Sequence, residues 1–167
     1  NETSAVGAQC SVGATVMGRY RVLRRLGEGG MGEVFEALDE SLGRRVALKA
    51  LRADQLWNRA VRDRTLREAR ALACVDHPNV IRIHNVFDLA GRVVLDLEFL
   101  PGGALSERIE RGAVPWREAA RLLGEALSGL GALHDAGLVH RDIKPDNLLF
   151  SKAAGGVLKV ADLGIVF

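Results

Sequence analysis

Apolar residues follow two different rhythms along the chain. Up to about residue 100 they come in short alternating runs, and beyond it they recur at helical spacing. Residues 1–17 are small and polar, too poor in large side chains to pack, and read as a flexible tail with order beginning near Gly18. Tyr20, Val22, Leu23 and Leu26 predict a strand that ends in Gly27-Glu28-Gly29-Gly30-Met31-Gly32, a turn no regular element tolerates. Val34, Phe35 and Ala37 resume the alternation. After a turn at Ser41-Leu42-Gly43, Val46-Ala47-Leu48 forms a third strand ending in Lys49 and Leu51.

Residues 59–74 predict a helix, with Leu66, Ala69, Leu72 and Ala73 on one face, arginines on the other and Cys74 as a small core residue. His77-Pro78-Asn79 breaks it. Val80, Ile81, Ile83, Val86 and Phe87 predict one strand and residues 92–100 another, before a break at Pro101-Gly102-Gly103. Residues 104–110 make a short helix and 116–136 a long one. In the long helix Ala119, Leu122, Leu123, Ala126, Leu127, Leu130 and Leu133 form one apolar stripe, read as a buried face, and Gly137 suits the C′ position. The remainder returns to short strands and polar loops. A strand-rich part followed by a helix-rich part predicts an α+β fold of two lobes dividing near Pro101.

Composition narrows the partners. With 23 basic and 21 acidic residues the net charge is +2, too balanced to argue for nucleic acid or an anionic membrane surface. The two cysteines, Cys10 and Cys74, have no paired spacing, so neither a disulfide framework nor a zinc site is expected and a reducing cytoplasm is the default. No run approaches the roughly 18 apolar residues a membrane span needs.

Five places along the chain carry chemistry. Gly27-Glu28-Gly29-Gly30-Met31-Gly32-Glu33-Val34 has the form G-x-G-x-x-G-x-V, in which bare backbone amides can approach phosphate oxygens. A dinucleotide-binding turn would need a helix directly after the glycines, whereas Val34-Phe35-Glu36-Ala37 continues as a strand. Lys49 ends the next strand but one, 17 residues after Gly32, within reach of phosphates beneath that turn. Glu68, 19 residues further, offers two readings: an ion pair that aims Lys49, which its apolar neighbours favour, or an exposed i,i+4 partner of Arg64. His140-Arg141-Asp142-Ile143-Lys144-Pro145-Asp146-Asn147 gathers a carboxylate able to take a hydroxyl proton, a cation for a transferring phosphoryl group and an amide oxygen for a hard metal ion. Asp162, in Ala161-Asp162-Leu163-Gly164 and twenty residues after Asp142, is a second oxygen ligand placed between a strand and a glycine.

In this order and spacing the chain resembles the eukaryotic-like protein serine/threonine kinases of bacteria, from about Gly18 to its last residue. The resemblance implies a small antiparallel-sheet lobe with one main helix over 18–100 and part of a helical large lobe over 101–167. It implies ATP and magnesium as cofactors and serine or threonine side chains of proteins as acceptors. Gly27, Gly29 and Gly32 would cover the phosphates. Lys49 would contact the α- and β-phosphates and pair with Glu68, and Asp142 would act as catalytic base. Lys144 would contact the γ-phosphate, and Asn147 and Asp162 would hold magnesium. Leu26, Val34, Ala47 and Leu149 would enclose the adenine. Glu98 and Leu100 would meet its edge through their backbones, with Leu97 as gatekeeper. Ile83, Leu72, Leu163 and His140 match the stacked column of the family's active state.

Two departures follow. Leu163 stands where the family usually has phenylalanine, and the chain ends before an activation segment is complete. The expected consequence is that Leu122, Leu123, Leu127 and Leu130 lie exposed and invite self-association or a partner. A non-catalytic nucleotide-binding module or an inactive fragment is therefore the alternative reading of this chain. A small-molecule kinase of the same fold is a third, disfavoured by the wording of the 140–147 loop. The parent protein could continue into a membrane anchor.

Overall fold

The structure is a computed structural model that describes residues 10–29, 32–51, 59–153 and 156–162. The chain divides into two compact units. The described residues up to Arg70 together with Ile83–Phe99 form the first, and Ala71–Arg82 with the residues from Leu100 onward form the second.

The first unit is a six-stranded antiparallel sheet of β1 (Thr15–Val16), β2 (Tyr20–Gly29), β3 (Gly32–Asp39), β4 (Arg44–Leu51), β5 (Ile83–Leu89) and β6 (Arg92–Glu98), in the order β1-β2-β3-β4-β6-β5. It also holds most of helix α1 (Arg59–Ala73). Period-two alternation sorts the strands into two faces. On one, Tyr20, Val22, Phe35, Ala37, Val46, Leu48, Ala50, Phe87 and Val94 make the core, with Tyr20 stacked on Phe87 at 5.7 Å between ring centroids. Asp96 lies on this face, fully buried, and accepts from Tyr20 Oη at 2.9 Å. Burial raises the pKa of both groups, that of Tyr20 to about 12.

Order begins earlier than composition implies. Thr15 and Val16 pair with Arg21 and Tyr20, Gly13 N–H donates to Val22 O at 2.9 Å, and Cys10 and Val16 are 2% exposed in the core. Small residues that could not build a core alone cap one that Tyr20 and Val22 already form. Met17 (φ 53°) and Gly18 (φ 62°) make the tight turn that folds them back.

The second unit contains α2 (Leu105–Glu110), α3 (Trp116–Asp135), a 3-10 turn at Pro145–Asn147, and the antiparallel pair β7 (Leu148–Phe150) and β8 (Leu158–Val160). Residues 71–82 belong here rather than with the strand-rich part. Val80 forms a parallel bridge to Val160, Val160 N–H donates to Asn79 O at 2.8 Å and Asn79 Nδ2 to Leu158 O at 2.9 Å. Val80 and Ile81 thus pair with β8 and do not extend β5. Cys74, expected in the core, is exposed in the turn after α1.

The stripe of α3 splits. Leu122, Ala126, Gly129 and Leu133 are buried, whereas Leu123 and Leu127 are 61% and 58% exposed, so the apolar arc is wider than the surface that covers it among the described residues. Leu122, expected to be exposed, is on the covered side. Gly137 (φ 74°) closes the helix in a Schellman turn, with Gly137 N–H donating to His134 O and Leu138 N–H to Leu133 O. No helix of the described residues is long and apolar enough to cross a membrane.

Candidate active site

In the first unit the glycine run forms the end of the β2–β3 hairpin, with Gly27 opposite Val34, Glu28 opposite Glu33 and Gly29 opposite Gly32. Gly30 and Met31 lie outside the described residues. The glycines differ in kind. A Cβ on Gly27 or Gly29 would meet nothing within 4 Å, so packing does not require glycine at either and the space beside their Cα atoms is free. Gly32 has φ +143° and a Cβ there would fall 2.2 Å from Ala50 O, so this glycine is required by packing against β4.

Lys49 sits between Val34 of β3 and Leu95 of β6, and Ala47 between Glu36 and Leu97, so these six share the sheet face opposite the core. Lys49 is only 7% exposed, and desolvation lowers its pKa to about 8. A lysine at a strand end ordinarily snorkels; this one is held inside by flanking apolar rows. Leu26 lies at the register shift between Arg25 and Gly27 and is 40% exposed. Glu98 ends β6 opposite Val46. Glu68 accepts from Arg64 Nε at 3.0 Å on its own helix, which is the alternative reading of its spacing. The Lys49 pairing implied by the resemblance is not the arrangement in this structure.

One residue of this unit carries more than its sequence context announces. Arg92, the first residue of β6, is 8% exposed and donates to Leu51 O at 2.7 Å, Ala50 O at 3.2 Å and Glu33 Oε2 at 2.9 Å. An arginine opening an apolar strand looks like a solvated end, and no local signal marks it as buried.

In the second unit the loop 140–147 is organised around two buried residues, His140 and Asn147. Asp142 N–H donates to His140 Nδ1 at 3.3 Å, so that nitrogen accepts and Nε2 carries the hydrogen, donated to Ala161 O at 2.8 Å. Asn147 Nδ2 donates to Asp142 O at 2.7 Å and Asp142 Oδ2 at 3.0 Å, while Asn147 O accepts from Ala161 N–H at 2.8 Å. Ala161 is thereby gripped at both ends, which places Asp162 beside the loop. Arg141 (φ 69°) and Asp162 (φ 55°) adopt left-handed backbone without being glycine, a strain that concentrates at functional loops.

Lys144 Nζ lies 2.9 Å from Asp142 Oδ2. Its hydrogen bond is the main reason the Asp142 pKa is lowered, with Asn147 contributing further, and the Lys144 pKa is raised in turn. The carboxylate is thus held ionised. With Nδ2 committed to Asp142, Oδ1 is the remaining side-chain acceptor of Asn147, and Asp162 adds a carboxylate in the same unit. Hard oxygen donors of this kind suit magnesium. Leu149 pairs with Lys159 and bridges to Ala104, and Leu100 is half-buried. Leu163 lies outside the described residues.

Known proteins place this arrangement. The protein kinase domain model matches residues 20–167. Serine/threonine-protein kinase pkn2 of Myxococcus xanthus is 43% identical over 149 residues, covering 89% of this chain and 18% of that protein. PknJ of Mycobacterium tuberculosis is 38% identical over 159 residues, 94% of this chain and 27% of that protein. The solved Mycobacterium tuberculosis PknI kinase domain superposes with a TM-score of 0.79 at 26% identity, over 93% of this chain and 62% of that one. The chain thus spans less than a third of these two curated relatives. A family match that begins at the first residue of β2 and runs through the 140–147 loop makes this chain a member of the protein kinase domain family, akin to the serine/threonine kinases of bacteria.

Proposed function

We propose that this chain carries the nucleotide site and catalytic loop of a kinase that transfers the γ-phosphoryl group of ATP to serine or threonine hydroxyls of proteins. The observation that carries the reading is the Asp142 carboxylate held at 2.9 Å by Lys144 and 3.0 Å by Asn147, within the stretch that the protein kinase domain model matches.

On this reading Leu26, Val34, Ala47 and Leu149 enclose the adenine, with Glu98 and Leu100 at its edge. Gly27 and Gly29 lie over the phosphates, while Gly32 sets the hairpin against β4. Lys49 meets the α- and β-phosphates, and Glu68 exchanges Arg64 for Lys49 when nucleotide binds. Asn147 and Asp162 would hold magnesium, which supplies charge neutralisation at the phosphates. Asp142, kept ionised, accepts the proton of the acceptor hydroxyl as its oxygen bonds to phosphorus and the bond to the ADP oxygen breaks. Lys144 then follows the transferred group, whose equatorial oxygens outcompete Asp142 for its charge.

Calorimetry with magnesium-ATP on the chain and on Lys49→Ala tests the site, and labelled ATP with a serine- and threonine-rich protein tests transfer. Binding lost in Lys49→Ala and transfer lost in Asp142→Asn are expected. A folded chain that binds no nucleotide overturns the reading, and binding without transfer leaves a nucleotide-binding module.

A further inference from the structure

We infer that Arg92 is a positioning residue for the glycine hairpin, acting through Glu33 and, on the nucleotide reading above, setting how tightly the phosphates are held. The β4–β6 register runs to Ala50 opposite Val94, and Arg92 lies two residues beyond Val94 along β6. Its side chain takes up the pairing there, with Nε on Leu51 O and Nη2 on Ala50 O. The same Nη2 reaches Glu33 Oε2 at 2.9 Å, and Arg25 lies 3.4 Å from the other Glu33 oxygen. Glu33 directly follows Gly32 and is the register partner of Ala50. Ala50 O, which Arg92 holds, is also the atom that a side chain at position 32 would strike.

One buried guanidinium therefore ties three things together: the hairpin that bears Gly27 and Gly29, the end of the strand that bears Lys49, and the start of β6. A charged fork does this where a single backbone bond could not, because it reaches a carboxylate on one strand and two carbonyls on the next. Holding the hairpin against β4 fixes the distance between Gly27 and Gly29, beside whose Cα atoms the space is free, and the Lys49 ammonium. A ligand that needs both, a nucleoside phosphate, gains from that; a nucleoside without phosphates does not.

The experiment compares the chain with Arg92→Met and Glu33→Gln by amide hydrogen exchange without ligand, and by calorimetry with magnesium-ATP and with adenosine. Exchange in residues 25–35 is expected to rise in both variants, while ATP affinity falls about tenfold, equivalent to ~1.4 kcal/mol, and adenosine affinity holds. Unchanged hairpin exchange overturns the inference. Equal losses for ATP and adenosine also overturn it, because they make Arg92 a general prop of the sheet. Should Arg92→Met not fold, Glu33→Gln, which leaves both carbonyl contacts in place, decides alone. A folded wild-type chain that binds neither ligand sinks the nucleotide reading, and raised hairpin exchange in the variants would then uphold the clamp without it.

Discussion

Asn147 spends its amide nitrogen twice on Asp142, once on the carbonyl and once on the carboxylate. On the proposed function, the residue that would hold the metal thus also fixes the geometry of the residue that would take the proton. Asn147→Ala strips both bonds from a buried position and is expected to lower stability by about 1–3 kcal/mol. Asn147→Asp sets a second carboxylate against Asp142, and its expected effect is a loss of phosphoryl transfer larger than its loss of stability. Urea unfolding and a labelled-ATP assay on the same samples read the two separately.

The burial of Lys49 has a pH signature. Its pKa is about 8 in the folded chain and 10.5 ordinarily. Between those values the unfolded chain holds a proton that the folded chain lacks, so stability rises with pH through the window. Below about 8 both states are protonated and the full cost of burying the charge applies. Lys49→Met is therefore expected to stabilise the chain at pH 7, with an advantage that shrinks from pH 8 to 10. Urea midpoints across that range check it, and a constant difference would reject it.

Gly27 and Gly32 belong to one motif but respond differently to the same change. Gly32→Ala forces a Cβ into Ala50 O and is expected to cost more than about 2 kcal/mol. Gly27→Ala meets open space, with an expected stability change within about 0.5 kcal/mol. Thermal unfolding of the two variants is sufficient.

Helix α3 offers the same contrast. A Cβ at Gly124 meets nothing within 4 Å, whereas one at Gly129 would lie 2.3 Å from Asn79 O. Gly124→Ala should raise stability by about 0.5–1 kcal/mol through helix propensity. Gly129→Ala should lower it by about 1–3 kcal/mol because the Asn79 backbone must yield. Circular dichroism melts distinguish them by sign.

Sequence patterns revealed most of the elements, since helices at 59–73 and 116–135 and the strands around the glycine run follow from apolar periodicity and turn residues. What stayed illegible depends on partners distant in the chain. Cys10 is buried because Tyr20 and Val22 build a core for it to cap, and nothing near Cys10 reports that. Val80 looks like the start of β5, yet its partner is Val160. Glu68 has apolar neighbours that point inward, but Arg64 one turn away is a nearer cation. The loop 140–147 could be read because its chemistry is local. Arg92 could not, because its three acceptors lie 41, 42 and 59 residues away in the chain.

The membership of residues 71–82 in the second unit bears on how this chain can be divided or recombined. Among the described residues the backbone passes between the units three times, after Arg70, after Arg82 and after Phe99. A cut at residue 100 would leave the front portion carrying a peptide whose partner has gone, and the back portion with β8 stripped of one side. Neither piece is an inheritable module. Exchange of halves between related chains would succeed only if residues 71–82 travelled with the C-terminal portion, a transplant that needs three junctions rather than one.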